Sequence, residues 1–510
     1  MQKIRSLGRT GEPSRPQFPY FCSVTQVSNL GHYKRSFLRY ARFERLTSFR
    51  RTRVFAKLLI CMAVSSALSR FLKFQGTAEL SSRQRIRFLS IDFHISPIQD
   101  LKALVKHKEK FNHVVILDES LSSHCHLTST CARHLPVINR ENGLNLGECP
   151  NEMKYNFWRR YADSQALLGT DVFICQHAFS LCELYMPFQK PMVLIASTRY
   201  EIGRLSTSAW NRLNKNIVAM ASRDENTIAA NNMYDAEYLK HFTGLKDVPV
   251  IINTCMYVGS HYNPTLPEIL IGPSRLSKGG RKLLRDMLAS LKGSSFDRKL
   301  SFIQVRTAYK HYRYKDLSAH PAILLIPYQV SIMSFFEYYA MSIPMFAPSL
   351  ELLVRWQTQY QVLDELSWNC VENRCAQKSS IAAHVNSPHW GYDPNDIMNS
   401  SSLRHWLNYS DIYQFPGIVH FDSWQDLFKK VQESNLAAVS RIMRKYHAYQ
   451  LVNVEKTWQG IFKKVGAHRS ASQSHVQYVL EGKGRERSTW EAHIQTQYPA
   501  LDAATYKSTC

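Results

Sequence analysis

The segment from Ile323 to Trp356 constrains the fold more than any other. An apolar run, Ala322 to Pro327, ends at a proline and is followed by Ser331, Ser334 and Glu337, the pattern of a fully buried strand that opens onto a helix. The helix carries Glu337, Tyr338, Tyr339, Ala340 and Met341 and is predicted to break before Pro344; a second apolar strand, Met345 to Ala347, stops at Pro348. Strand, helix and strand in that order make half of a doubly wound sheet. Ligands of such sheets sit beyond the carboxyl ends of the strands, where this chain offers two serines, a helix N-terminus and one carboxylate. Hydroxyls and amides suit phosphate, and a carboxylate suits sugar hydroxyls.

The rest of the chain repeats this alternation. Ile86 to Phe93 reads as a strand, with His94 in the loop beyond it and a helix starting after Pro97. Asn112 to Leu117 is a second strand ending at Asp118, Val172 to Cys175 a third with His177 just past it, and residues 190–198 a fourth. Helical residues around Ala209 to Leu213 lead to a strand at 217–222, a helix from Asn226 to Phe242 and a strand at 248–253. This predicts one Rossmann-like unit over residues 84–258. Gly259, Pro264 and Pro267 mark a linker, and a second unit over 265–464 starts with the strand, turn and basic helix of EILIGPSRLSKGGRKLL. Residues 357–413 read as irregular, after which GIVHF and two helices close the unit. The expected fold class is therefore α/β, with two doubly wound Rossmann-like domains and a polar tail, 466–510, predicted to be disordered.

The formal charge of +24 is unevenly placed, because residues 1–53 hold twelve Lys and Arg against Glu12 and Glu44. This basic leader is predicted to be disordered. The excess left on the folded part suits an anionic small ligand, and no arginine-rich helix or aromatic and basic ladder points to nucleic acid. Residues 54–72, VFAKLLICMAVSSALSRFL, form a candidate membrane anchor. The basic residues before it predict a cytosolic leader and a lumenal remainder, a type II arrangement in the Golgi or endoplasmic reticulum membrane. A mitochondrial presequence and a buried helix are the competing readings. Sequons at Asn399 and Asn408 fit a lumenal location. The eleven cysteines include no Cys-x-x-Cys. Cys125 with Cys131, and Cys370 with Cys375, bracket short polar loops that disulfides would close in an oxidising compartment. His124, His126 and His134 flank the first pair, but no metal site is predicted there.

Glu337 lies seven residues before Pro344, and Ser334 lies three before Glu337. With this spacing the chain resembles the donor-binding half of GT-B glycosyltransferases, whose signature has a Glu seven residues before the Pro of a Gly-x-Pro turn, and some of which place a phosphate-binding Ser three residues before that Glu. It departs from the family pattern at Val330, where retaining families carry a second Glu, at Gln329, where plant-type inverting families carry a His, and at Ser342, the Gly of the turn. The resemblance implies two units facing a central cleft, donor contacts from Glu337, Ser334 and Ser331, and neutralisation of the donor's phosphates by Arg275 and Lys278. It also implies a nucleotide-sugar donor and a glycan, protein or lipid acceptor. Inverting members often place a base after their first strand, which makes His94 the candidate base, with Asp92 on the same side of the strand, or Asp118, to orient it.

The sequence contains no Asp-x-Asp, no Gly-x-Ser-x-Gly and no phosphate-loop lysine motif. The resemblance implies sugar transfer, and the missing Asp-x-Asp favours a reaction without a metal; no other cofactor is expected, and retention or inversion is left open. A GT-B-like binding protein that has lost catalysis, and an epimerase or phosphorylase of the same fold, are the alternatives.

Overall fold

The computed structural model describes residues 85–122, 124–132, 150–161, 163–177, 179–200, 207–363 and 381–469. The leader, the candidate anchor at 54–72, His134, the Cys370 and Cys375 pair and the polar tail lie outside these residues. Among the described residues no helix is long and apolar enough to cross a membrane.

In the first half, strands β1 (Ile86–Asp92), β2 (Val114–Ser120), β3 (Val172–Cys175), β4 (Met192–Ala196) and β5 (Thr227–Ala230) form a sheet in the order β2-β1-β3-β4-β5. Every pairing is parallel. Each residue of β3 and β4 is buried, as a parallel sheet covered on both faces requires. Helices α1 (Ile95–His107), α2 (Pro150–Tyr161), α3 (Thr207–Ala221) and α4 (Met233–Thr243) belong to this half. Three elements differ from the sequence reading. Helix α1 begins at Ile95, because Pro97 falls in the first turn, where its missing N–H is not needed. Residues 217–221 are the last turns of α3 and not a strand, since the buried positions Trp210, Leu213, Ile217 and Met220 continue one helical stripe. The strand of this region is the short β5, and Val250 adds only a single bridge to Ala230.

The second half repeats the topology. Strands β6 (Ile269–Gly272), β7 (Phe302–Gln304), β8 (Ile323–Leu325), β9 (Met345–Pro348) and β10 (Ile418–Phe421) form a parallel sheet in the order β10-β9-β8-β6-β7. Read from its other edge, this is the order of the first sheet. Around it lie α5 (Lys278–Leu291), α6 (Met333–Met341), α7 (Leu350–Tyr360), α8 (Ser400–Leu407), α9 (Trp424–Glu433) and α10 (Leu436–Arg469). The stretch read as irregular thus contains the end of α7 and all of α8. At the start of α5, a Cβ on Gly279 would meet the Tyr360 carbonyl oxygen at 2.1 Å, so the close approach of α5 to the end of α7 requires glycine there.

Two elements tie the halves together. Asp100 on α1 accepts hydrogen bonds from the Thr254 hydroxyl (3.0 Å) and the Met256 N–H (3.1 Å), which fixes the connection between the sheets to the first unit. Helix α10 places Met443 in the core of the second sheet and Val454, Trp458, Ile461 and Phe462 against Ile86 and Phe88 of the first. Disulfides join Cys125 to Cys131, as the sequence suggested, and also Cys175 to Cys182.

Candidate functional site

In each sheet the chain reverses its direction of growth beside the first strand, between β1 and β3 in one and between β6 and β8 in the other. Loops leaving such a switch point diverge and open a crevice at the carboxyl ends of the strands. The two crevices meet in a cavity of about 180 Å³. The first half lines it with His94 after β1, His177 after β3, Ser197 and Thr198 after β4 and Asn231 after β5. The second lines it with Tyr328, Gln329, Ser331, Met333 and Phe336, from the β8 to α6 connection and the first turn of α6.

His94 is not a free loop residue. It is the N-cap of α1, and its Nδ1 accepts the Ser96 N–H at 3.2 Å. A neutral ring bonded in this way carries its proton on Nε2. His94 as a whole is exposed, and the packing around its ring lowers the imidazole from its ordinary value, with a smaller push from His124. Asp92, expected to orient the His94 ring, accepts instead from two backbone N–H groups, those of His94 (3.2 Å) and of His177 (3.1 and 3.0 Å). The carboxyl therefore positions both loops. Burial pushes it up to about 8, against the opposing pull of those N–H groups. Asp118 is turned to α1, where it binds Lys102 and Gln99.

His177 was noted in the sequence only for its place after β3. Its ring meets that of His94 edge to face at 5.9 Å, and burial, with added repulsion from His94 and Arg199, pushes it down to about 3. The chain on either side of it is closed by the Cys175 to Cys182 disulfide.

On the opposite wall Ser331 reaches the cavity, but its hydroxyl donates to Asp411 at 2.6 Å. The Asp411 carboxyl is buried and pushed up to about 8 by that burial. Gln329 presents a buried side-chain oxygen with no hydrogen-bond partner among the described residues, which leaves an acceptor for a ligand hydroxyl. Arg275, exposed after β6, lies over the Tyr328 ring at 5.0 Å, a cation–π contact that holds a positive charge at the mouth of the cavity. Lys278 is exposed at the first position of α5, whose N-cap is Ser277. Val330, at 2 % exposure, faces the core, so a carboxylate at this position would bury a charge.

Glu337 and Ser334 do not line the cavity. Glu337 is buried on α6, and its Oε1 accepts from the phenols of Tyr257 (2.8 Å) and Tyr314 (2.9 Å). Burial pushes its carboxyl up to about 7, while the two phenols pull it down. This oxygen is thus occupied from within the protein. Ser334 is half-buried one turn before it. In the turn after α6, Ser342 adopts φ 61°, in the left-handed region that favours glycine. Among the described residues no group of three or more His, Cys, Asp or Glu is placed to hold a metal ion.

No protein-family model and no curated protein matches the sequence. Solved structures that it is similar to include glycosyltransferases. One is the glycotransferase of kitacinnamycin, at 10% identity and a TM-score of 0.34, covering 74% of this chain and 99% of that one. Another is SnogD from Streptomyces nogalater, at 12% identity and a TM-score of 0.31, covering 68% and 99%. MurG from Acinetobacter baumannii has 10% identity and a TM-score of 0.28, covering 69% and 100%. Likeness at this level carries no correspondence of residues, donor or acceptor.

Proposed function

We propose that this chain is a glycosyltransferase of the GT-B type, which transfers a sugar from a nucleotide-sugar donor to an acceptor hydroxyl in the cleft between residues 84–258 and 265–464. The observation that carries this reading is the meeting of two switch points in one cavity, with imidazoles on one wall, hydroxyl and amide groups on the other, and Arg275 stacked on the lining Tyr328. Sugar transfer needs a base near the acceptor and positive or dipolar groups near the departing diphosphate. Arg275, Lys278 and the N-terminus of α5 suit the phosphates, and Ser331, Ser334 and Gln329 suit the remainder of the donor. Glu337 joins this set if donor binding draws Tyr257 or Tyr314 away from it. The imidazoles of His94 and His177, held in place by Asp92, supply the acceptor side. The acceptor is a glycan, protein or lipid hydroxyl, and no nucleic acid is involved.

The two disulfides suit an oxidising lumen, with residues 54–72 as a type II anchor in the Golgi or endoplasmic reticulum membrane. A mitochondrial location fits them less well. The sealing of Glu337 favours a second reading, a binding protein of the same fold without catalysis.

Thermal melting of the full chain with uridine and guanosine diphosphate sugars tests the proposal. One nucleotide family should raise the melting temperature by several degrees at saturating ligand, and an acceptor panel should then release the nucleoside diphosphate. Failure to bind any nucleotide sugar removes the proposal, and binding without release on any acceptor favours the non-catalytic reading.

A further inference from the structure

We propose that His177, and not His94, is the general base of the cleft. The inference rests on the transferase reading above. His94 commits Nδ1 to capping α1, so its neutral ring has no unprotonated nitrogen to offer unless the helix gives up its cap. His177 has no such commitment. Its hydrogen bonds run through the backbone: its N–H donates to both oxygens of Asp92 and its carbonyl accepts from the Phe93 N–H at 2.6 Å. Among the described residues neither ring nitrogen has a hydrogen-bond partner. The disulfide between Cys175 and Cys182, both fully buried, closes the loop around it. Backbone and disulfide thus hold His177 in the cavity wall, with its ring nitrogens uncommitted.

With the cleft empty the ring is neutral at physiological pH, which is the state a base needs. A donor diphosphate bound nearby would favour the imidazolium and strengthen its pull on a proton. In the step itself the acceptor oxygen forms a bond to the anomeric carbon while its proton passes to a ring nitrogen of His177. The bond from that carbon to the phosphate oxygen breaks, and its electron pair leaves with the nucleoside diphosphate. The imidazolium then returns its proton to solvent. With His177 on the wall that faces Tyr328, Gln329 and Ser331, the acceptor it deprotonates attacks from the side away from the leaving group, which inverts the anomeric centre.

The test measures nucleoside diphosphate release from UDP-glucose, UDP-N-acetylglucosamine, UDP-galactose and GDP-mannose, with water and a mixture of methyl glycosides as acceptors, and donor affinity by calorimetry. His177→Ala and His177→Asn should each lower turnover about 10²- to 10⁴-fold with donor Kd within about twofold. His94→Asn, which removes the ring but retains a good N-cap, should cost less than either. A Cys175→Ala, Cys182→Ala double variant should lower turnover in the wild-type background and cost nothing further in His177→Ala, because a positioning effect vanishes with the group it positions. If the wild type transfers and His177→Ala is as fast, or if His94→Asn carries the larger loss, the assignment to His177 is overturned and the transferase reading stands. If the wild type neither binds nor consumes any of these donors, the transferase reading falls and the base with it.

Discussion

Both phenols that bind Glu337 converge on one oxygen of its carboxyl, and burial holds that carboxyl near 7 although its ordinary value is 4.5. Between those two pH values the folded chain keeps a proton that the unfolded chain has released. The stability contributed by the raised value is thus complete below about 4.5 and lost as pH rises through about 7. Glu337→Gln retains an oxygen that can accept both phenols but cannot titrate. The stability of wild type relative to Glu337→Gln should therefore fall between pH 5 and pH 8, by at most roughly 3 kcal/mol. Denaturant unfolding of both proteins at the two pH values measures this, and parallel behaviour would show that Glu337 keeps its ordinary acidity. The sequence placed Glu337 by its spacing to Pro344. It could not show the sealing, because Tyr257 and Tyr314 come from segments 80 and 23 residues away. The commitment of His94 to Ser96 was equally hidden, since histidine is an uncommon N-cap and the helix was expected to begin only after Pro97.

At the scale of elements, helix α6 and its two flanking strands were legible because an apolar run, a polar step and two prolines punctuate them without ambiguity. The strand expected at 217–222 failed for the opposite reason. A short apolar run fits either a strand or a buried helix turn, and only the spacing back to Trp210 decides it. Strand β5, with Thr, Ile and two Ala, has too little contrast to stand out beside the helix that follows. The end of α6 carries its own prediction. Ser342 is held in the left-handed region at φ 61°, a conformation that costs a residue with a Cβ about 1 kcal/mol or more, and its hydroxyl is buried without a partner among the described residues. Ser342→Gly removes both penalties, while the freer unfolded chain takes back about 0.4–1 kcal/mol. The variant should melt at a higher temperature than wild type by a few degrees. A lower melting temperature would mean that the Ser342 hydroxyl is satisfied in solution, for example by a buried water.

The whole molecule depends on α10, which packs into the cores of both halves. Its early turns place Met443 in the core of the second sheet, and Phe462 packs against Phe88 and Phe111 of the first half at ring distances of 5.4 and 5.1 Å. Glu455, between them, pairs with Lys108 and Lys110, but these partners are partly solvated and contribute little beside the aromatic contacts. The helix therefore helps to set the spacing of the two walls of the cleft. Phe462→Ala leaves a cavity at that contact and should cost about 3–5 kcal/mol. Its effect on function should be uneven, because the groups assigned to the donor lie on the second half and those assigned to the acceptor on the first. Below its melting temperature the variant should bind a nucleotide sugar with nearly unchanged Kd, since Arg275, Lys278, Ser331 and Gln329 keep their mutual positions. Transfer should slow by tenfold or more, because a displacement of even an ångström between base and donor removes much of the benefit of fixed geometry. Calorimetry for binding and product release for turnover separate the two quantities. If affinity falls while the rate per bound donor is maintained, α10 stabilises the donor half alone, and the two walls are set by the Asp100 contacts to Thr254 and Met256.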